Sequence, residues 1–214
     1  MCGRYYIGKS MKKELFRETG LRFADSETDP ESHGSVIAPS DIHPGDRAPV
    51  ILSAGPVDTP GAPEKGRNGT NPVILDDLLW GFPFHGKLTI NARVETLMEK
   101  PVFSRAARSR RCVLPATGFY EWDREKNRFA FELKNQPILY LAGIYDYYEN
   151  QRRFVILTTA ANASMAPVHD RMPLMIPPDR VESWICQADR TEAFLKMEMP
   201  ELSVFGIFRQ QTLF

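Results

Sequence analysis

Between residues 111 and 160 the chain offers five strand-like segments in succession: "RRCVLPA", "GFYEWD", "RFAFELK", "PILYLAGIYDYY" and "RRFVILTT". They are rich in β-branched and aromatic residues, and short polar breaks ("REKN", "NQP", "ENQ") part several of them. Breaks of this length suit hairpin connections, so neighbouring strands are expected to pair antiparallel. Few folds accommodate so many strands in so short a span. Around them, "RYYI" reads as a strand, and "MKKELFRET" as a helix capped by Ser10 and stopped at Gly20. "APVILS" and "PVILDDLLWGF" are further strand candidates. Helices are expected at 94–100, 102–110, 179–187 and 190–197, and a last strand around "LSVFGIF". Residues 24–34 read as a polar loop, and 54–71 as an exposed hairpin or excursion rather than a linker. The expectation is one α+β domain over residues 1–214, built on a curved, mainly antiparallel, barrel-like sheet with flanking helices.

Composition narrows the function classes. Lys and Arg together number 27, and so do Asp and Glu, so the formal charge is zero and any polyanion site must be local. No apolar run is long enough to span a bilayer and no secretory leader is evident, which predicts a cytoplasmic protein. Cys2, Cys112 and Cys186 are odd in number and far apart, so no disulfide framework is expected. The four histidines (His33, His43, His85, His169) stand singly, without metal-ligand spacing, and neither metal nor cofactor is predicted.

The first ten letters, "MCGRYYIGKS", carry two incompatible readings. From Gly3 the string fits the phosphate-loop pattern G-x-x-x-x-G-K-[ST]. That loop needs a buried strand before it, and only Met1 and Cys2 precede Gly3. Its interior, "RYYI", is bulky and β-prone where small residues belong. The phosphate-loop reading fails. From Met1, removal of the initiator would leave Cys2 as a free 1,2-aminothiol. An α-amine with a pKa near ~7.8 is unprotonated at pH 7 in roughly one molecule in seven, far more often than a lysine at ~10.4. Such an amine attacks an aldehyde to give an imine, and the adjacent thiol closes onto the same carbon as a five-membered thiazolidine. Cys2 taken alone could equally be no more than a small second residue.

Its company decides the matter. "WGF" at 80–82, "NARVET" at 91–96, "CVLPATGFYEW" at 112–122 and "APVHDRMP" at 166–173 follow "MCGR" in that order and span about four-fifths of the chain. Together they resemble the SRAP family of abasic-site-processing proteins, which crosslink to single-stranded DNA. The resemblance implies that Cys2 joins the ring-opened aldehyde of an abasic site through its amine and thiol. It implies that Asn91 and Arg93 hold the DNA phosphate and the N-terminal loop. Glu121 matches the catalytic carboxylate, and His169 the histidine that assists ring opening and proton transfer. Arg4, Trp80 and Arg171 match DNA-contacting positions. A carboxylate and an imidazole suit the proton transfers of imine formation. Arginines offer forked donors to phosphate, and a tryptophan can stack on an unpaired base.

Plain structural roles stand beside each of these. Glu121 could face outward from a strand, Trp80 could be core, His169 a loop residue, and Asn91 and Arg93 helix caps. One or two of Arg105, Arg108, Arg110 and Arg111 are candidate phosphate contacts, with a solvated helix face as the plain reading. One departure from the family is clear: many members carry "YN-x-AP" after the first loop, and here it reads "SVIAP". The expected partner is single-stranded DNA containing abasic sites, bound by a monomer without a membrane and associated with the nucleoid after damage. Two other functions compete. One is a thiol or N-terminal-nucleophile hydrolase, including cleavage of its own Met1–Cys2 bond; the other is a non-catalytic binder of single-stranded DNA.

Overall fold

The strand-rich run from 111 to 160 folds as its short polar breaks dictate. The computed structural model describes residues 2–19, 40–54 and 73–207, so the "SVIAP" segment, the expected loop at 24–34 and most of the 54–71 excursion lie outside the described residues. β1 (Arg4–Ile7) leads into α1 (Met11–Thr19). Then come β2 (Ser40–Ile42), β3 (Arg47–Ser53), β4 (Val73–Trp80), the hairpin of β5 (Phe82–Phe84) and β6 (Lys87–Thr89), and β7 (Asn91–Arg93). A single 3-10 turn (Val94–Thr96) stands where a helix to residue 100 was expected, and α2 (Pro101–Ser109) follows it. The five predicted strands are β8 (Arg111–Ala116), β9 (Gly118–Trp122), β10 (Arg128–Leu133), β11 (Leu139–Tyr148) and β12 (Gln151–Ala160). β13 (Arg171–Pro173), α3 (Val181–Cys186), α4 (Thr191–Leu195) and β14 (Leu202–Ile207) complete the order.

Five strands close on themselves. β3 pairs antiparallel with β4 and β8, β8 with β11, and β11 with β12. The ring closes through a parallel contact between β12 and β4, at Arg153↔Leu79 and Phe154↔Trp80. Closure removes the unpaired edges that an open sheet would expose. Leu52, Leu114, Leu141 and Phe154 share one face of this ring and are buried. β8 is buried along its whole length because α2 and α3 pack across it. α2 supplies Phe103, Ala106 and Ala107 at helical spacing to this face, and its start at Pro101 uses a ring whose missing N–H costs nothing in a first turn.

The same strand run turns a corner at Thr117 and enters a second sheet. Its order is β14-β10-β9-β1-β2, antiparallel throughout. The Thr117 hydroxyl accepts the Gly8 N–H at 2.7 Å, and the Thr117 N–H donates to Tyr6 O at 2.9 Å, pinning β1 to the corner. The inner face of this sheet carries Tyr5, Phe119 and Phe131, the last two stacked at 5.2 Å. Gly118 opens β9 because nothing larger fits: a Cβ there would lie 2.4 Å from the Tyr6 hydroxyl and 2.6 Å from Phe131 O. Gly118→Ala is expected to destabilise by about 1–3 kcal/mol through overpacking. For a chain of this size that lowers Tm by roughly 2–10 °C, and a thermal melt unchanged within a degree would show that the sheet yields freely.

Candidate functional site

β12 is longer than the barrel that contains it, and its projecting half gathers two of the sequence motifs. At Ile156 the strand faces Gly143 of β11 on one edge and Asn91 of β7 on the other. Two residues on, Thr158 lies between Arg93 of β7 and Pro173 of β13. "NARVET" and "HDRMP", some 75 residues apart, thus become neighbours across one strand.

Asn91 reaches from there to the second sheet. Its Nδ2 donates to Cys2 O at 3.1 Å, fixing the backbone of the N-terminal segment. Cys2 itself is buried, with its thiol 3.9 Å from Arg4 O. The β1–β9 register ends at Arg4↔Tyr120, so Glu121 lies where the chain enters from Cys2 and Gly3. Glu121 shares the inner face of β9 with Phe119 and is only 4% exposed. Burial first, and the Glu121 carboxylate second, push the Cys2 thiol well above its usual range, so it is held neutral.

His169 lies two residues before β13. Its Nδ1 accepts the Arg171 backbone N–H at 2.9 Å, an assignment that leaves Nε2 as the protonated nitrogen of the neutral ring. Asp170 Oδ1 is 3.0 Å from the same Nδ1. His169, Trp122, Arg124 and Asp170 line a groove of about 630 Å³. Arg4 lies over the Trp122 ring at 5.5 Å, with Asp41 3.7 Å away. Arg93 is exposed. Arg171 is held by a bidentate pair with Glu95, at 2.7 and 2.9 Å, and donates to Thr158 O at 2.5 Å. That pairing holds the Glu95 carboxyl below the usual range.

Two expectations are corrected here. Trp80 has no exposed surface: it stacks on Phe154, packs at 5.3 Å against Tyr5, and donates from Nε1 to Ile90 O at 3.0 Å. It belongs to the core and offers no face to a base. Arg111 is not on a solvated helix face either. It is 3% exposed and donates to the carbonyls of Ala107, Arg108, Trp184 and Ile185, capping the C-terminal ends of α2 and α3 together. Arg110 is paired with Asp146 at 2.8 Å, while Arg105 and Arg108 are exposed. Trp122, which sequence reading passed over, is the tryptophan that faces the groove; its alternation with Glu121 along β9 was the available signal. Among the described residues no group of three or more His, Cys, Asp and Glu side chains could hold a metal ion, and no helix is long and apolar enough to cross a membrane.

A closed mixed barrel joined to a second sheet that buries Cys2 beside Glu121 frames this candidate site. The chain belongs to the SRAP family, SOS response associated peptidase, whose model matches residues 1–205. It is 30% identical over 198 residues to the abasic site processing protein YedK of Escherichia coli, covering 87% of this chain and 80% of that one. It is 33% identical over 120 residues to YoaM of Bacillus subtilis, also named an abasic site processing protein, covering 52% of this chain. The match spans about half the length of the Bacillus relatives, 53% for YoaM. A crystal structure of a Bordetella bronchiseptica protein superposes with a TM-score of 0.73 over 97% of this chain and 100% of that one, at 19% identity. A Bacteroides thetaiotaomicron protein gives 0.69 over 97% of this chain and 92% of that one, at 22% identity. These two share the fold.

Proposed function

We propose that this chain captures abasic sites in single-stranded DNA by forming a thiazolidine at Cys2 after Met1 is removed. The observation that carries the reading is the convergence of three motifs on one residue: Asn91 on the Cys2 carbonyl, Glu121 beside its thiol, and β1 fixed between β2 and β9. The freed α-amine attacks the aldehyde carbon of the ring-opened deoxyribose, and the carbonyl oxygen takes a proton. Loss of water gives an iminium. The Cys2 sulfur then adds to the same carbon while its proton leaves to a base. One water is released in all, its hydrogens drawn from the amine and the thiol. Because burial keeps the thiol neutral, the amine is the first nucleophile and the sulfur the second.

Glu121 and His169 serve the proton transfers, from the inner face of β9 and from the groove respectively. Arg4, Arg93 and Arg171 are the phosphate contacts, and Trp122 replaces Trp80 as the aromatic surface beside the opened sugar. The protein acts as a monomer in the cytoplasm, at the nucleoid when DNA is damaged. The same iminium supports strand cleavage by β-elimination when ring closure lags, and self-cleavage of Met1–Cys2 is an alternative route of maturation. A general thiol hydrolase is less well supported, since it needs a thiolate and this thiol is pushed the other way.

Intact mass spectrometry of the protein, alone and with uracil-excised single-stranded DNA, tests the proposal. The expected result is loss of Met1 and a covalent adduct heavier by the oligonucleotide less one water. Des-Met1 protein that forms no adduct would overturn it. Glu121→Gln should leave affinity for unmodified DNA nearly intact while slowing adduct formation or reversal by roughly 100-fold, the scale of a general acid–base contribution. Crosslinking and reversal at the parent rates would reduce Glu121 to a buried strand residue.

A further inference from the structure

Three proposed phosphate contacts differ in what they do without DNA. Arg93 is exposed, Arg4 lies against Trp122 with a single Asp41 oxygen 3.7 Å away, and Arg171 is gripped by an anion through both arms of its fork. Glu95 engages it with both carboxylate oxygens, the fork geometry in which arginine also grips a phosphate. The two partners are unequally placed. The Arg171 side chain is 11% exposed and the Glu95 side chain 48%. Arg171 is held apart from Glu95 as well: its backbone lies in β13 and its Nη2 donates to Thr158 O. Glu95 sits in the short 3-10 turn and faces solvent, with Arg93 near enough to act on its carboxyl. A merely structural strut would be buried at both ends. Here the cation is anchored and the anion is at the surface, where another anion can replace it.

We propose that Glu95 is a phosphate stand-in: its carboxylate keeps the Arg171 fork extended in the free protein and gives way to a backbone phosphate when single-stranded DNA binds. The inference rests on the DNA-binding reading above and adds a residue that opposes binding while preserving the geometry binding needs. Exchange of one anion for another leaves the buried guanidinium compensated throughout, which avoids an unpaired charge in a nearly dry setting. It also makes the resting site selective. A weakly presented anion must displace a bidentate carboxylate, whereas a strand already held by Arg4 and Arg93 presents its next phosphate at high local concentration.

Fluorescence anisotropy on unmodified, labelled single-stranded DNA, in a Cys2→Ala background that removes the chemistry, tests the latch. Glu95→Gln keeps the shape and removes the competing charge. It is expected to tighten binding roughly fivefold at low salt, the size of one partly exposed ion pair. The log–log salt dependence should keep the parent's slope, because Arg171 meets the same phosphate in both bound proteins. Adding Arg171→Ala should erase the gain and flatten the slope by about 0.7, one phosphate contact fewer; if that variant folds poorly, Arg171→Lys, which keeps the charge without the fork, should shrink the gain. Equal or weaker binding by Glu95→Gln would make Glu95 a strut and overturn the proposal. So would a gain that persists without Arg171. If the parent binds no single-stranded DNA at any salt, the DNA reading itself fails and the latch with it.

Discussion

Cys2→Ala abolishes the denaturation-resistant complex with abasic single-stranded DNA; that is the expected result, and it should be complete rather than partial. The variant keeps a terminal amine once Met1 leaves, so imine formation survives in principle. What it lacks is the sulfur that converts a hydrolysable imine into a ring. A small species trapped by borohydride is therefore compatible with the mechanism, whereas a heat-stable adduct in full yield is not. Blocking Met1 removal should be as damaging as losing the thiol, since the Cys2 nitrogen would then be an amide without a nucleophilic lone pair. Denaturing gels with and without borohydride, run on Cys2→Ala and on a Met1-retaining form, separate the amine from the thiol.

The largest stability effect is expected at Arg111, which takes no part in this chemistry. Its guanidinium donates at 2.6 Å to Trp184 O, at 3.1 and 2.7 Å to Ala107 O and Arg108 O, and at 3.1 Å to Ile185 O. These carbonyls close α2 and α3, where the helix dipoles place partial negative charge. Burial lowers the Arg111 pKa, as expected for a cation that must be compensated inside the protein. Arg111→Met strands several buried acceptors at once and should cost about 3–5 kcal/mol, the scale of breaking a buried charge's partners. Total stability for a domain is about 5–15 kcal/mol, so this is a substantial part of it. Urea denaturation should show the midpoint falling sharply at constant slope. A loss under about 1 kcal/mol would mean that water replaces the side chain and that the two helix ends are not truly joined through it.

Arg111 also shows where sequence reading stops. In "RSRR" it looks like its neighbours, and nothing local says that two helix ends 70 residues apart will meet on it. The run from β8 to β12 was legible because hairpin pairing is local: strand periodicity and a short polar break suffice. β7 was not, since "NAR" has three residues, no period of its own, and is a strand only because β12 lies beside it. The parallel closure of β4 on β12 was hidden for the same reason. Trp80 reads from sequence as a DNA-contacting position, with core as its plain alternative, because residue type alone does not tell a tryptophan's side. For Glu121 the clue was present in "GFYEW": alternation puts the carboxylate on the face of Phe119, so a buried acid could be read directly. The motifs identified Cys2, Asn91 and His169 as residues of interest, but the bond from Asn91 to Cys2 O and the Glu95–Arg171 pair join segments that only the fold brings together.

β1 sits between β2 and β9, and its pairing with β9 joins Arg4 to Tyr120. This placement sets a clock on maturation. During synthesis the first residues emerge long before their partner strand exists, at a pace of about 5–20 residues per second. For roughly 6–24 s the nascent terminus is open to the removal of Met1 that the proposal requires; once β9 arrives, Cys2 is enclosed and only 1% exposed. In the proposed mechanism, trimming by an external peptidase therefore precedes folding, and a chain that folds first depends on self-cleavage of Met1–Cys2 to free its amine. The proposal has a second consequence in the ribosome-bound protein: an unfinished chain trimmed of Met1 carries its aminothiol before β9 brings Glu121 beside it. The reactive terminus is made first and armed last.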